Sequence, residues 1–239
     1  MKPEGRELTA IVVGRQDYGE SDRILRLLTP DEGKVSVLAR GARRRHAGLD
    51  IGVTAVVRLR RGRGDLETLV SGEAIAGHVH LRDGLGRLAT AIYACELCGA
   101  LAREGQPELR LYGLLDMALT LLDANGEDPQ PAFLLGLEGK ALTFAGIGPV
   151  LDRCVVCADP IEVGMGFSIE AGGLLHRRCG SGEPVTQAYA AALEAARRAP
   201  LRDLLDASLP EGRRGLLSDA VSAHLGRALP SRIVLDALH

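Results

Sequence analysis

The chain has 239 residues, 46% of them hydrophobic and 25% charged, with a net charge of −2 at pH 7; this balance is ordinary for a folded protein. No apolar run reaches the eighteen or so residues of a membrane helix, and the amino terminus, MKPEGRELTA, lacks the apolar stretch of a secretory signal. A cytoplasmic location is expected, with the five cysteines as reduced thiols or metal ligands, and an aromatic content of 3% argues against extensive base stacking.

From Glu7 to Ile75, five short segments alternate apolar with polar residues: ELTAIVVGR, DRILRLLT, GKVSVLARG, TAVVRLRRG and LETLVSGEAI. Period-2 alternation is the pattern of half-buried strands, and the turns YGESD, TPDEGK and RGRGD separate them. Five strands in about seventy residues without an intervening helix suggest a small barrel of the oligonucleotide-binding kind. An SH3-like barrel would give a similar string.

The segment from Lys34 to Arg63 carries nine cations, Lys34, Arg40, Arg43, Arg44, Arg45, Arg58, Arg60, Arg61 and Arg63, against one anion, Asp50. In a chain that is close to neutral, such a local concentration is the electrostatic footprint of a polyanion site. Two of its strands send alternate side chains to one sheet face, and the loop GARRRHAG between them holds three consecutive arginines. A solvated face kept for solubility would mix the signs. These nine residues are therefore the candidate nucleic-acid contacts.

After Leu81 the pattern turns helical, in LRDGLGRLATAIYACELCGALARE, PELRLYGLLDMALTLLDANG and PQPAFLLGLEGKALTFAGIGP. Leu85, Leu88, Ile92, Cys95 and Cys98 follow at steps of three and four, which predicts one helical face. Cys95 and Cys98 lie in that stripe and are read as small packing groups, not as a redox or metal pair.

A second pair is different. Cys154-x-x-Cys157 is followed after eighteen residues by His176-x-x-Cys179. Three thiolates and one imidazole complete a tetrahedral set for one Zn²⁺, and four protein ligands leave no open position, so a structural ion is expected. Between the ligand pairs, MGFSIEAGGLLHRR reads as a hairpin turning at Ala171-Gly172-Gly173, a zinc-ribbon layout. The remainder returns to helix, with Thr186 as a cap, a break at Pro200 and an amphipathic run from Arg214 to Leu229 packing on the earlier helices.

The expected organisation is therefore α+β and multi-domain: a five-stranded barrel over residues 1–80, a helical domain over 81–150 and again over 185–239, and a zinc module at 151–184 inserted in it. The first block holds 14 cations and 11 anions, the second 5 and 9, so the polyanion site belongs to the barrel. The sequence contains neither GxxxxGK[ST] nor a GxGxxG opening a helix, and it shows no paired-acid cluster, which argues against an enzyme.

The segment GESDRILRLLTPDEGKVSVLARGARR, the segment GIGPVLDRCVVC and the downstream H-x-x-C resemble the bacterial recombination mediator family RecO. The likeness runs through the whole chain in the same order of parts. It implies an oligonucleotide-binding barrel, a helical domain and a zinc module. It also implies binding of single- and double-stranded DNA, annealing of complementary strands, and loading of the RecA recombinase on DNA covered by single-strand-binding protein, in company with RecR. Such a protein would work in the cytoplasm and join the nucleoid during repair. His176 stands where many relatives place a fourth cysteine. Two other readings are an RNA-binding barrel with a zinc contact and an adaptor whose arginines meet acidic protein tails.

Overall fold

The alternation carries through to the structure, a computed structural model that describes residues 5–42, 46, 48–61, 66–161 and 164–238. Strands β1 (Arg6–Tyr18), β2 (Asp22–Thr29), β3 (Gly33–Ala39), β4 (Thr54–Arg60) and β5 (Glu67–Ala76) close into a barrel in the order β1-β2-β3-β5-β4. Every pairing is antiparallel except β3 with β5, where Val37 faces Glu67 in parallel register. A simple meander does not produce that return; the Greek-key closure of the oligonucleotide-binding barrel does. Inside, Val12, Leu25, Leu27, Val37, Val57 and Leu59 are at most 1% exposed, each contributing about 1.5–3 kcal/mol by burial. Outward positions on β4, Arg58 and Arg60, are exposed as the alternation requires.

β1 is longer than its apolar segment, running on to Tyr18 as one arm of a hairpin with β2. Between Val12 and Gly14 its register against β2 slips, making Val13 the extra residue of a bulge.

Helix α1 (Leu85–Leu101) packs on β1 and β2, followed by α2 (Leu109–Ala124). The approach is close at Gly99, where a Cβ would stand 2.8 Å from Val13 Cγ2. Ile11, Val13 and Leu28, which lie outside the barrel's inner cluster, are buried by this covering. The loop after α1 is tied to the β2–β3 turn through backbone: Lys34 N–H donates to the Arg103 carbonyl (2.9 Å) and Glu108 N–H to that of Pro30 (3.0 Å). Residues 1–126 consequently form one compact unit and 127–239 another. The division falls inside the helical run, beyond the change of pattern near residue 80, because α1 packs on β1 and β2 and covers their outer residues.

The stripe from Leu85 to Cys98 is not the buried face of α1. Leu85 and Ile92 are exposed, whereas Ala91, Tyr93, Ala94, Cys95, Leu97 and Cys98 are at most 3% exposed. A helix buried over most of its circumference has no single apolar stripe, so a three-and-four count picks out one face arbitrarily. The two thiols do pack as apolar groups. Burial pushes Cys95 up to about 12 and Cys98 higher still, where neither is a nucleophile at neutral pH.

In the second unit, α3 (Pro131–Phe144) packs with α4 (Gln187–Arg198) and α5 (Leu216–Leu225), and α6 (Pro230–Asp236) ends the chain's helices. Thr186 caps α4 by accepting from Tyr189 N–H (3.2 Å). The run from Arg214 stops early, at Leu225, because Gly226 takes a left-handed conformation. Glu138 of α3, 1% exposed, is neutralised by Arg232 of α6 at 2.6 Å. A three-stranded antiparallel sheet, β7-β6-β8, is inserted between α3 and α4: β6 (Met165–Ser168), β7 (Gly173–His176) and β8 (Glu183–Val185). The hairpin turns over residues 169–172, so Ala171 and Gly172 lie in the turn as expected, while Gly173 opens β7 opposite Ser168. β8 adds a third strand that its sequence, Glu-Pro-Val, does not announce, since proline is confined to sheet edges.

Candidate nucleic-acid interface and metal centre

Of the nine barrel cations, five lie in described residues. Arg43, Arg44, Arg45 and Arg63 fall outside the described residues. Arg40, Arg58, Arg60 and Arg61 are exposed, and Lys34 is half-buried beside the backbone tie to Arg103. Arg58 meets Glu7 on the neighbouring strand at 3.0 Å. An exposed pair of this kind holds by about 0.2–1 kcal/mol, so Arg58 can exchange Glu7 for a phosphate at little cost.

Arg40 and Arg60 come together. They line a groove of about 460 Å³ with His46, Thr68, Val70 and Ser71, between the loop after β3 and the outer side of β5. Two cations and two hydroxyls around an open groove supply charge and hydrogen-bond donors to an anion's oxygens. Gly41, two residues past β3, is joined to the β1–β2 hairpin by donating its N–H to Asp22 Oδ1 at 2.8 Å. That bond, with those from Ser21 and the field of Arg40, holds the Asp22 carboxyl below its ordinary range.

The β1–β2 hairpin carries further cations outside the Lys34–Arg63 window. Arg15 pairs with Asp50 (2.8 Å), Arg23 with Asp17 (2.8 Å), and Arg26 donates to Gln16 (3.2 Å). The signal for Arg26 was present in DRILRLLT, where it occupies an outward position. The count of charges by window hid it. Arg6 is engaged by Glu32 and Glu67, which hold it firmly protonated.

In the second unit, Cys154, Cys157, His176 and Cys179 converge, their ligand atoms all within 4.8 Å of one another. His176 Nδ1 is 3.4 Å from Cys157 Sγ and 3.9 Å from Cys179 Sγ. A tetrahedral ion with bonds of about 2.0–2.3 Å spaces its ligand atoms about 3.5–3.8 Å apart, so the residues fit a metal. The histidine's tautomer fits as well. Its Nε2 lies 3.1 Å from the Pro160 carbonyl, which only accepts, so Nε2 carries the proton and the Nδ1 lone pair faces the sulfurs.

Local backbone builds the first ligand pair. Ala158, with φ of 64°, closes the Cys154–Cys157 knuckle by donating its N–H to the Cys154 carbonyl (2.9 Å). Burial raises the Cys154 thiol, but the N–H groups of Cys157, His176 and Val156 outweigh it and bring it down to about 6. Burial and the neighbouring Cys157 and Cys154 sulfurs push Cys179 up, the usual outcome when thiols share one site. Arg178 hydrogen-bonds Cys179 and Cys157 and is held protonated by them, while pairing with Asp159 at 3.4 Å. The set can hold one metal ion.

An oligonucleotide-binding barrel backed by helices, with a Cys3His centre in a second helical unit, defines a class of modular barrel proteins. Within that class, the family model described as Recombination protein O N terminal matches residues 4–78, and Recombination protein O C terminal matches residues 82–233. The DNA repair protein RecO of Anaeromyxobacter sp. (strain K) is 41% identical over 97% of this chain and 96% of its own length. That of Myxococcus xanthus (strain DK1622) is 37% identical over 93% of both, and that of Symbiobacterium thermophilum 34% identical over 94% of this chain and 89% of its own length. The chain belongs to the RecO family.

Proposed function

We propose that this protein is a recombination mediator in DNA repair. It binds single- and double-stranded DNA, anneals complementary strands and, with RecR, promotes loading of RecA on DNA coated by single-strand-binding protein. The observation that carries the reading is an oligonucleotide-binding barrel with Lys34, Arg40, Arg58, Arg60 and Arg61 on its outside, in a chain of the RecO family. The cations neutralise phosphates and release counterions, which gives affinity with little sequence preference. Annealing needs two strands brought together with their charge screened and their bases free to pair. The protein acts by binding, not by catalysis, in the cytoplasm and at the nucleoid during repair. The ion held by Cys154, Cys157, His176 and Cys179 is zinc, in a structural role.

The test is a salt titration of binding to a fluorescent single strand, with annealing of complementary strands followed in the same samples. If about five phosphates are neutralised, log affinity falls with log salt at a slope near −3.5. Reversal of Arg43, Arg44 and Arg45 to Glu lowers affinity and annealing together. Flat or absent binding overturns the reading in favour of a protein-only adaptor, and tighter binding to RNA of the same sequence overturns it in favour of an RNA-binding protein.

A further inference from the structure

The cations explain affinity for any nucleic acid backbone, paired or unpaired. A mediator must also tell an unpaired strand from a duplex, and the difference available at a protein surface is the open face of an unstacked base. Of four tyrosines and three phenylalanines, and with no tryptophan in the chain, only Tyr18 is exposed, at 57%. A single exposed aromatic is unremarked on most proteins. The surroundings of this one set it apart.

Tyr18 ends β1 at the tip of the β1–β2 hairpin, next to Gly19, whose φ of 63° makes the turn. Register past the bulge pairs Gly14 with Arg26, Gln16 with Ile24 and Tyr18 with Asp22. On the next strand Ile24 pairs with Leu38, Arg26 with Ser36 and Leu28 with Lys34. One outer face therefore presents Tyr18, then the half-buried pair Ile24 and Leu38, with Arg26 and Lys34 beyond them. The end of this face that holds Leu28 is closed by helices α1 and α2. At the other end Tyr18 is exposed among the described residues, and the edge continues into exposed Arg40 through the Gly41–Asp22 bond. Two of the hairpin's three acids are engaged, Asp17 by Arg23 and Asp22 by Gly41 N–H, and the third, Glu20, is exposed in the turn.

We infer that Tyr18 is a base-stacking contact, and that the face running from Tyr18 over Ile24 and Leu38 seats single-stranded DNA, with Arg26 and Arg40 on its phosphates. The inference rests on the nucleic-acid reading of the barrel and gives it a source of preference for unpaired strands. In an oligonucleotide-binding barrel this is the face of the second and third strands with the first hairpin loop, where an aromatic ring meets a base directly. Duplex bases offer no free face there, so a duplex is held by the cations alone.

The chain's lack of tryptophan makes the experiment clean. In the full-length protein, Tyr18→Trp becomes the only tryptophan fluorophore. Oligo(dT), an abasic strand with the same number of phosphates, and a duplex are the three probes. Oligo(dT) is expected to quench the Tyr18→Trp emission, and the abasic strand and the duplex to leave it unchanged when bound to saturation. Tyr18→Ala is expected to weaken oligo(dT) binding about 5- to 150-fold, the span that a stacking contribution of about 1–3 kcal/mol represents. Its affinity for the abasic strand and its salt slope stay at the wild-type values, and Tyr18→Phe binds as wild type. Emission unmoved by bound oligo(dT), or equal weakening for the abasic strand, overturns the inference while leaving the cation-based reading standing. Unchanged DNA binding in Tyr18→Ala with loss of a protein contact overturns it too, and gives the ring to a protein partner. Wild-type protein that binds none of the three probes overturns both readings.

Discussion

Two glycines within one loop-and-turn system show how conformation and contact separate at the scale of a residue. Gly33 and Gly105 both have positive φ, 63° and 67°. A Cβ at Gly105 meets nothing within 4 Å, whereas one at Gly33 collides with the carbonyl oxygens of Arg103 and Gln106. Gly105→Ala should therefore cost only the left-handed penalty of about 1–2 kcal/mol. Gly33→Ala adds displacement of the backbone tie that seats α1 on the barrel, and should cost at least about 1 kcal/mol more. Urea unfolding of the two variants under the same conditions gives the difference directly, and equal costs would show that the tie yields freely. Neither role is visible in TPDEGK or AREGQPE, because a turn motif specifies the φ of a glycine and is silent about the chain that passes over it.

At the scale of an element, the metal knuckle makes a prediction with a definite sign. Metal ligands must be deprotonated, so apparent affinity falls as pH falls. With the Cys154 thiol held at about 6, this cysteine adds no proton competition above that value and a full proton below it. The slope of log affinity against pH should steepen by about one proton per ion as pH drops through 6, read by competition with a chromophoric chelator for Zn²⁺. Cys154→Ser abolishes that step together with tight binding, and His176→Cys keeps the ion. The four candidate ligands could be picked out from spacing because a tight turn and a hairpin bring them together locally. The five barrel strands were legible for a similar reason, an alternation that each carries within itself. The buried face of α1 was not legible, since burial there is decided by β1 and β2, far away in sequence. Nor was the groove of Arg40, Arg60, Thr68 and Ser71, which the return of β5 alongside β3 assembles.

At the scale of the whole molecule, the smallest piece that folds should be set by apolar surface, not by secondary-structure type. A fragment of residues 1–80 keeps every barrel strand and strips the cover from Ile11, Val13 and Leu28, each at most 7% exposed in the intact chain. Residues 1–126 keep the cover. The longer fragment should be monodisperse and bind strands with the salt slope of the full chain, and the shorter one should aggregate or unfold at lower urea; size-exclusion chromatography and a urea titration decide. A soluble, binding-competent 1–80 barrel would show that α1 is dispensable to the fold. The Val13 bulge has a consequence here that concerns parity. Before it, the even-numbered residues of β1 point into the barrel; after it, the even-numbered residues point out, and Gln16 and Tyr18 are among them. The same Val13 is the residue seated against Gly99 of α1. Deleting it would restore a single count along the strand without turning Tyr18, since Gly14 would follow Val12 directly and keep its pairing with Arg26, so the ring would stay outward while the helix lost its footing at Gly99.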